Sequence, residues 1–309
     1  YEITVRDWSS DVCSSDLRKS METRVLRANI LLLLTALIWG AAFVAQRVGM
    51  DHMGPMTFNA VRFALGALAL LPCIAWMDGR RTGLARAYPL RNGLLPGIAL
   101  FLGAWLQQLG LCYTTAGKAG FITGLYVVFV PVIGIFLRHR YGPGTWGGAA
   151  LAMAGMYLLS VTGGFSIGKG DALVLGSAAF WAIHVLLLGR LTKGIAAVDA
   201  LRLASVQFAV CALISLAGAA VSEDISLSGI RAGLIPILYG GLLSVGVAYT
   251  LQVVAQRDAR PAPAAIILSL EAVFAVMAGW LLLDEMLTAR AMAGCTLMLG
   301  GMIWSQLRP

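Results

Sequence analysis

The chain has 309 residues, of which 59% are apolar and only 12% are charged. Soluble globular domains average about 45–50% apolar and 25% charged residues, so the composition excludes a soluble protein and predicts a membrane protein throughout. Basic residues flanking membrane helices account for the net charge of +8, and no nucleic-acid partner is expected.

The first stretch, residues 1–20, differs from the rest of the chain. It starts without Met, has no helical periodicity, and repeats Ser9-Ser10-Asp11-Val12 as Ser14-Ser15-Asp16-Leu17. Met21 then opens a sequence that is typical of a membrane protein. We therefore expect residues 1–20 to be a cloning or sequencing artefact, with a disordered cytoplasmic tail as the alternative.

Ten apolar segments follow, most of them near the ~20 residues that cross the hydrocarbon core as a helix. The connections between them are short and leave no room for a soluble catalytic or nucleotide-binding domain. We predict an all-α integral membrane protein with ten transmembrane helices. In chain order the predicted spans cover residues 29–46, 56–76, 91–113, 119–137, 145–161, 170–190, 200–221, 229–255, 263–283 and 290–307.

The spans form two repeats of five, in residues 21–163 and 164–309. Matched residues lie at one constant offset: Phe63 with Phe208, Gln107 with Gln252, Gly134 with Gly279, and Gly155 with Gly300. Because each repeat crosses the bilayer an odd number of times, the second must be inverted relative to the first. Inverted repeats are typical of secondary transporters.

Basic residues predict the orientation. The connections on the N-terminal side hold most of them: Arg24, Arg27, Arg80, Arg81, Arg86, Arg91, Arg138, Arg140, Arg190, Lys193, Arg202, Arg257, Arg260 and Arg308. The other side holds only Arg47, Lys118, Lys169, Arg231 and Arg290. The positive-inside rule then places both termini in the cytoplasm, which for a bacterial protein means a multi-pass inner-membrane topology.

Motifs for metal, cofactor or ATP binding are missing. The cysteines and histidines form no CxxC or HExxH pattern, and there is no GxxxxGK[ST] loop. We therefore expect no metal and no cofactor. A Gly-x-Ser-x-Gly motif is absent and no Asp lies at a span centre, which argues against an intramembrane enzyme acting on lipid or peptide.

Glu271 is the first candidate functional residue, near the middle of the ninth span with no basic residue within a helical turn. Placing an ionisable side chain at the bilayer centre costs about 2.5–3.5 kcal/mol on insertion scales, so such residues usually face a cavity. The predicted role is a cavity carboxylate that binds an amine or takes up a proton. The alternative is a structural group, protonated or hydrogen-bonded to another helix.

Arg62 in the second span is the natural counter-charge. Asn59, Arg62 and Gly66 share one helical face, which directs an amide and a guanidinium toward the same space. A solute carboxylate is the predicted ligand of Arg62. The alternative is that the long side chain reaches the membrane interface.

Aromatic residues at mid-span depth predict a cavity wall. Trp usually favours the membrane interfaces, yet Trp39, Trp105 and Trp181 lie near the middle of spans one, three and six. The remaining predicted substrate-binding residues are the polar or aromatic neighbours Gln108, Tyr126, His184, Gln207 and Tyr249. Each of them taken alone is more often a packing residue. Together they predict a largely aromatic cavity with polar anchors, which suits an amphipathic organic solute.

Several motifs resemble the tandem EamA repeats of the drug/metabolite transporter superfamily, over essentially all of residues 21–309. The motifs are Trp39-Gly40, Pro55, Arg62-Phe63, residues 124–131, Leu270-Glu271, Glu285, Leu287-Thr288, Gly294 and Gly300. The resemblance implies two inverted five-helix halves around a central cavity, alternating access, and export of amino acids, related metabolites or drugs without ATP. One departure is that Tyr126 stands where the second half has Glu271.

These observations predict a permease that exports small organic solutes, namely amino acids or related metabolites or drugs, across the cytoplasmic membrane by alternating access. Its partners are the solute and the lipid bilayer, and no sequence pattern indicates an oligomeric state. An intramembrane enzyme is one alternative. A channel or a structural membrane protein is the other.

Overall fold

The computed structural model describes residues 5–79, 90–114, 116–160, 168–283 and 288–307. Every regular element in these ranges is a helix, which confirms the predicted all-α class. Seven stretches are long and apolar enough to cross a membrane: Glu22–Gly49, Pro55–Asp78, Arg91–Leu111, Lys118–Phe136, Lys169–Leu191, Ala197–Ser222 and Leu234–Ala255. Ten crossings in an inverted arrangement stay a prediction.

The first half contains six α-helices. They are α1 (Val5–Gly49), α2 (Pro55–Asp78), α3 (Leu94–Leu111, preceded by the 3₁₀ turn Leu90–Gly93), α4 (Ala116–Gly124), α5 (Tyr126–Phe136) and α6 (Pro143–Ser160). Helices α4 and α5 together cover the fourth predicted span. Each of the other four predicted spans in this half coincides with one helix.

The second half repeats this layout with more interruptions. It contains α7 (Lys169–Leu191), α8 (Ala197–Ser222), α9 (Leu227–Ala232), α10 (Leu234–Leu238), a π-helix (Tyr239–Tyr249), α11 (Thr250–Ala255), α12 (Pro261–Leu268), α13 (Glu271–Leu283) and α14 (Ala289–Leu307). The eighth predicted span is therefore built from four consecutive helical pieces, and the ninth from α12 and α13.

The N-terminal helix is longer than the sequence indicated. The sequence predicted no helix before Met21, whereas α1 begins at Val5. Extending an existing helix adds one hydrogen bond for each residue fixed, so polar residues can continue a helix that an apolar segment stabilises. The origin of residues 1–20 stays a prediction. The predicted boundary between the repeats, at residues 163–164, and Glu285 lie outside the described residues.

The fourth and ninth predicted spans are each divided between two helices. The helix is interrupted at Leu125 and again at Ser269 and Leu270. At each place the hydrogen bonds tighten to the 3₁₀ pattern: Leu125 N–H donates to the Ile122 carbonyl at 3.2 Å, and Leu270 N–H to that of Ile267 at 3.1 Å. Leu125 and Leu270 are related by the repeat offset.

Proline does not explain these interruptions. Pro131, the proline within the fourth predicted span, lies inside α5 and beyond the interruption at Leu125. The equivalent residue in the second half is Val276, and that half is interrupted at the same place. The two breaks therefore belong to the repeat and not to a single proline.

Glycines bring α6 and α14 into close contact. A Cβ added at Gly301 would lie 2.7 Å from the Gly148 carbonyl oxygen, and one at Gly155 would lie 2.5 Å from that of Gly294. Small residues permit such close approach of membrane helices. Since Gly148 contacts Gly301 while the later Gly155 contacts the earlier Gly294, the two helices run antiparallel.

Helices α2 and α8 also run antiparallel. Met56, near the start of α2, lies beside Gly218, near the end of α8. Asp78, at the end of α2, is bonded to Arg202, near the start of α8. Between these ends the ring centroids of Phe63 and Phe208 lie 6.2 Å apart. These two phenylalanines are a repeat-related pair.

Candidate functional site

A cavity lies among the interrupted helices near the middle of the helical bundle. About 40 Å³ of it is free for water, within about 470 Å³ of space between atoms that includes the opening to solvent. Apolar, aromatic and polar residues of both halves line it. They are Trp39, Phe43, Gln46, Arg62, Gln107, Thr123, Tyr126, Trp181, Val185, Ser244, Tyr249, Gln252, Leu268 and Glu271. Six of the predicted site residues are in this set, namely Trp39, Arg62, Tyr126, Trp181, Tyr249 and Glu271.

The two repeats contribute equivalent positions to the wall. Ten of the lining residues form five pairs: Trp39 with Trp181, Phe43 with Val185, Gln107 with Gln252, Thr123 with Leu268, and Tyr126 with Glu271. The first two pairs share one offset and the last three share the offset of Phe63 and Phe208. A cavity lined by matched positions lies where the two repeats face each other.

Arg62 extends from α2 into the cavity and is only 2% exposed. Its Nε donates a hydrogen bond to Asn59 Oδ1 at 2.9 Å, and its guanidinium lies over the Phe58 and Phe63 rings at 5.3 and 4.9 Å. Among the described residues no carboxylate is paired with it. Asn59 and the two rings therefore fix the direction of the guanidinium, while its terminal nitrogens are left for a ligand.

Glu271 is the first residue of α13 and is 3% exposed. Its Oε1 is buried and has no hydrogen-bond partner among the described residues. The position at the start of a helix is favourable for a carboxylate, because the helix dipole places partial positive charge there. Tyr126 is the first residue of α5, and its hydroxyl is likewise buried without a partner.

Tyr249, the last residue of the π-helix, is the centre of the aromatic wall. Its ring centroid lies 4.5 Å from that of Trp39, 5.9 Å from Trp181 and 6.0 Å from Phe63. It also contacts Phe208 at 6.0 Å and His184 at 6.3 Å. Tilted and offset aromatic pairs of this kind stabilise a packed wall by about 0.5–1.5 kcal/mol each beyond the area that they bury.

The π-helix also supplies backbone acceptors. Trp39 Nε1 donates to the Ser244 carbonyl at 3.3 Å, and Thr35 Oγ1 donates to the Ala248 carbonyl at 3.1 Å. The wider turn of a π-helix changes the direction of its carbonyl groups, and such segments are frequent at functional sites. The indole of Trp39 is thereby held against Tyr249.

Several polar atoms of the wall are buried without a hydrogen-bond partner in the described part of the chain. Besides Tyr126 Oη and Glu271 Oε1, they are Gln46 Oε1, Trp181 Nε1 and Gln252 Oε1. A buried polar group without a partner costs about 1–3 kcal/mol. The wall therefore presents acceptors and donors for a polar ligand, beside aromatic faces for an apolar one.

The other predicted site residues lie outside the cavity lining. Asn59 holds Arg62, and Trp105 stacks on Phe101 with ring centroids 5.9 Å apart. Gln108 Nε2 donates to the Gln46 carbonyl at 3.1 Å. His184 Nε2 lies 2.7 Å from Gln207 Oε1. These five residues form a layer behind the wall or beside it, and their binding roles stay predictions.

Five polar lining residues are absent from the predicted binding set: Gln46, Gln107, Thr123, Ser244 and Gln252. Gln107 Nε2 donates to Thr123 Oγ1 at 2.9 Å, which joins α3 to α4. The repeat pairing of Gln107 with Gln252 was a usable signal for two lining residues. Ser244 gave no signal, because nothing in the sequence indicated the π-helix.

The family model of the EamA-like transporter family matches residues 26–161 and 168–306. The chain belongs to the EamA-like transporter family. The match falls on the two halves separately, so it agrees with the predicted tandem repeat. The resemblance proposed from the motifs is thereby confirmed, and the protein is a multi-pass membrane protein of a transporter family.

Named relatives agree with this assignment. An "uncharacterized transporter" of Archaeoglobus fulgidus is 34% identical over 284 residues, which are 92% of this chain and 87% of that protein. A "probable terminal-alkyne amino-acid exporter" of Streptantibioticus cattleyicolor is 29% identical over 149 residues, 48% of this chain and 50% of that protein. A solved crystal structure with 18% identity superposes with a TM-score of 0.73, covers 91% of this chain and 96% of its own, and supports the fold alone.

Proposed function

We propose that this protein is a secondary transporter that exports small organic solutes, amino acids or related metabolites or drugs, across the bacterial cytoplasmic membrane. Transport proceeds by alternating access to the cavity, without ATP and without catalysis. The single observation that carries the proposal is that ten of the cavity-lining residues are five repeat-related pairs.

Antiparallel packing of equivalent helices supports the inverted arrangement. Span five (α6) packs antiparallel to span ten (α14), and span two (α2) packs antiparallel to span seven (α8). Two copies of one unit that run in opposite directions across a membrane are the arrangement expected of inverted five-span repeats. The cavity between them then faces either side when the halves rock.

The chemistry of the wall supports a zwitterionic or amphipathic solute. Arg62 offers a guanidinium for a carboxylate, and Glu271 offers a carboxylate for an amine. The faces of Trp39, Trp181 and Tyr249 suit an apolar side chain. A bare ion is disfavoured because the wall has no ring of carbonyls or acids among its described residues.

Glu271 is the group for proton coupling. It is buried, lines the cavity, and has no basic partner in the described part of the chain. A carboxyl group that exchanges a proton for a solute amine couples the two fluxes, because only one of them occupies the site at a time. The charge pattern of the connections supports a topology with both termini in the cytoplasm.

Purified protein in proteoliposomes tests the proposal. Vesicles loaded with an unlabelled amino acid or amphipathic amine are diluted into a trace of labelled solute, and a carrier accumulates the label transiently by exchange. A panel of solutes identifies the chemical class. Equal entry and exit without transient accumulation for every solute would indicate a channel or a structural protein, and would contradict the proposal.

A further inference from the structure

Two polar contacts join α2 to α8 at the opposite ends of this helix pair. At the first end, Glu223 Oε1 accepts the Met56 N–H at 2.8 Å, and Glu223 Oε2 accepts the Thr57 N–H at 2.8 Å and the Thr57 hydroxyl at 2.7 Å. This carboxylate caps the N-terminus of α2, where backbone N–H groups have no intrahelical partner.

At the second end, the bond is an ion pair. Arg202 Nη2 donates to Asp78 Oδ2 at 2.6 Å, and Arg202 Nη1 donates to Asp199 Oδ1 at 2.8 Å. The Arg202 and Asp78 side chains are 20% and 34% exposed. The contact therefore closes the end of α2 against the start of α8 close to solvent.

The two contacts are made by equivalent residues of the two repeats. Asp78 is related to Glu223, and Thr57 to Arg202, by the same offset that relates Phe63 to Phe208. In one contact the C-terminal acid of α2 holds the start of α8. In the other the C-terminal acid of α8 holds the start of α2. Reciprocal pairs of this kind are the mark of a two-fold relationship.

We propose that these two contacts are the gates of the transport cycle, and that each opens while the other stays closed. The proposal rests on the proposed alternating access. In the structure both contacts are formed at the same time. The Phe63 and Phe208 rings lie between the gates and act as the pivot.

The two contacts are weak enough to act as gates. A gate contact has to break in every transport cycle, so it cannot depend on a large apolar interface. Loss of a helix cap changes an equilibrium by about two- to thirtyfold. Loss of a solvent-exposed ion pair changes it by up to about fivefold, which is a lower bound for the half-buried Arg202–Asp78 pair. Opening α2 at one end also moves the wall that carries Arg62.

Thiol labelling of a reporter in the cavity tests the gates. Ser244 lines the cavity and is nearly isosteric with cysteine, so the reporter variant is Ser244→Cys. Cys13, Cys73, Cys112 and Cys295 are replaced by serine, while Cys211 is kept because it is buried. A membrane-impermeant thiol reagent is applied to right-side-out and to inside-out vesicles, without any solute.

We expect variants of the two gates to change the labelling rate of the Ser244→Cys reporter in opposite directions. Glu223→Gln raises the labelling rate from the side where α2 begins and lowers it from the other side, each by about threefold or more. Asp78→Asn produces the reverse. Gly54→Ala provides a second variant of the first gate, since a Cβ there would overlap the Glu223 carboxylate without changing its charge. Arg202→Gln provides a second variant of the gate formed by Asp78 and Arg202.

Asp51→Asn and Asp258→Asn are the matched controls, because each neutralises an exposed carboxylate at one of the two ends. Gate variants that behave like these controls, or that change labelling in the same direction from both sides, would overturn the proposal. If the gate variants shift the labelling rates in opposite directions but no tested solute is transported, the gates are supported and the proposed function is contradicted. If a solute is transported but the gate variants leave the labelling rates from both sides unchanged, the proposed function is supported and the gates are contradicted.

Discussion

Tyr126 and Glu271 occupy equivalent positions in the two repeats, and each is the first residue of a helix that resumes after an interruption. Both line the cavity, and both have a buried side-chain oxygen without a partner in the described structure. The backbone geometry is therefore shared between the halves while the chemistry is not. Only the second half places a carboxyl group there.

Replacing Glu271 with glutamine should uncouple transport from protons. Glu271→Gln keeps the size of the side chain but cannot exchange a proton, so stimulation of solute flux by a pH gradient should fall to the level measured without a gradient. Solute counterflow should continue. Flux in proteoliposomes with and without the gradient measures this, and Tyr126→Phe is the matched control that should keep the stimulation. Unchanged stimulation in Glu271→Gln would remove the coupling role.

Replacing Arg62 should weaken the binding of solutes that carry a carboxylate. Hydrogen bonds to charged groups contribute about 1.5–3 kcal/mol, so Arg62→Gln should raise KM at least about tenfold. Arg62→Lys keeps the charge but loses the planar fork, and it should recover part of the affinity. The exposed Arg47, paired with Asp51, gives the control variant Arg47→Gln. A KM that rises equally for solutes without a carboxylate would indicate a structural role for Arg62.

Adjacent glycines of α14 should respond differently to alanine. A Cβ at Gly301 meets the Gly148 carbonyl, whereas one at Gly300 meets nothing within 4 Å. Gly301→Ala should therefore destabilise the protein by about 1–3 kcal/mol, and Gly300→Ala should be neutral or stabilise it by up to about 1 kcal/mol. Thermal unfolding in detergent compares the two. Equal midpoints for both variants would contradict the α6–α14 contact.

Truncation of Tyr249 should remove the centre of the aromatic wall. Tyr249→Ala loses contacts with five rings, and deletion of a buried aromatic side chain typically costs about 3–5 kcal/mol. Tyr249→Phe should stay within about 1 kcal/mol of the parent, because the hydroxyl makes no hydrogen bond within the described residues. Thermal unfolding and tryptophan fluorescence, to which Trp39 and Trp181 contribute among eight tryptophans, measure both variants. A stable Tyr249→Ala protein with unchanged fluorescence would show that the cluster does not hold the wall.

Much of the cavity was predictable from residue type and depth. A carboxylate, a guanidinium and tryptophans at mid-span depth are costly or unusual in lipid, so Glu271, Arg62, Trp39 and Trp181 could be identified as lining residues. Trp105 has the same depth but stacks on Phe101 outside the lining. Depth follows from position along the sequence, whereas the face that meets the cavity depends on how the helix is rotated against its neighbours.

The helix interruptions were not predictable. Gly124 precedes the interruption at Leu125, but Ser269 stands at the equivalent position before Leu270, and Pro131 lies elsewhere in its helix. The π-helix that positions Ser244 and Tyr249 likewise has no local sequence signature. Both features lie beside the cavity, where residues of the two halves meet, and such long-range contacts cannot be read from a local sequence pattern. The repeat itself could be predicted from sequence, because matched residues such as Phe63 and Phe208 lie at one constant offset. The same offset relates the contact residues of α2 and α8.

The interruption between α12 and α13 divides the predicted ninth span into two short helices joined by a single tight turn. A local disturbance of the hydrogen-bond ladder is one of the causes of a sharp bend in a helix. The same turn recurs between α4 and α5, and residues of all four helices line the cavity. We therefore expect any bending of these two spans to occur at the depth of the cavity, where it would change the shape of the wall.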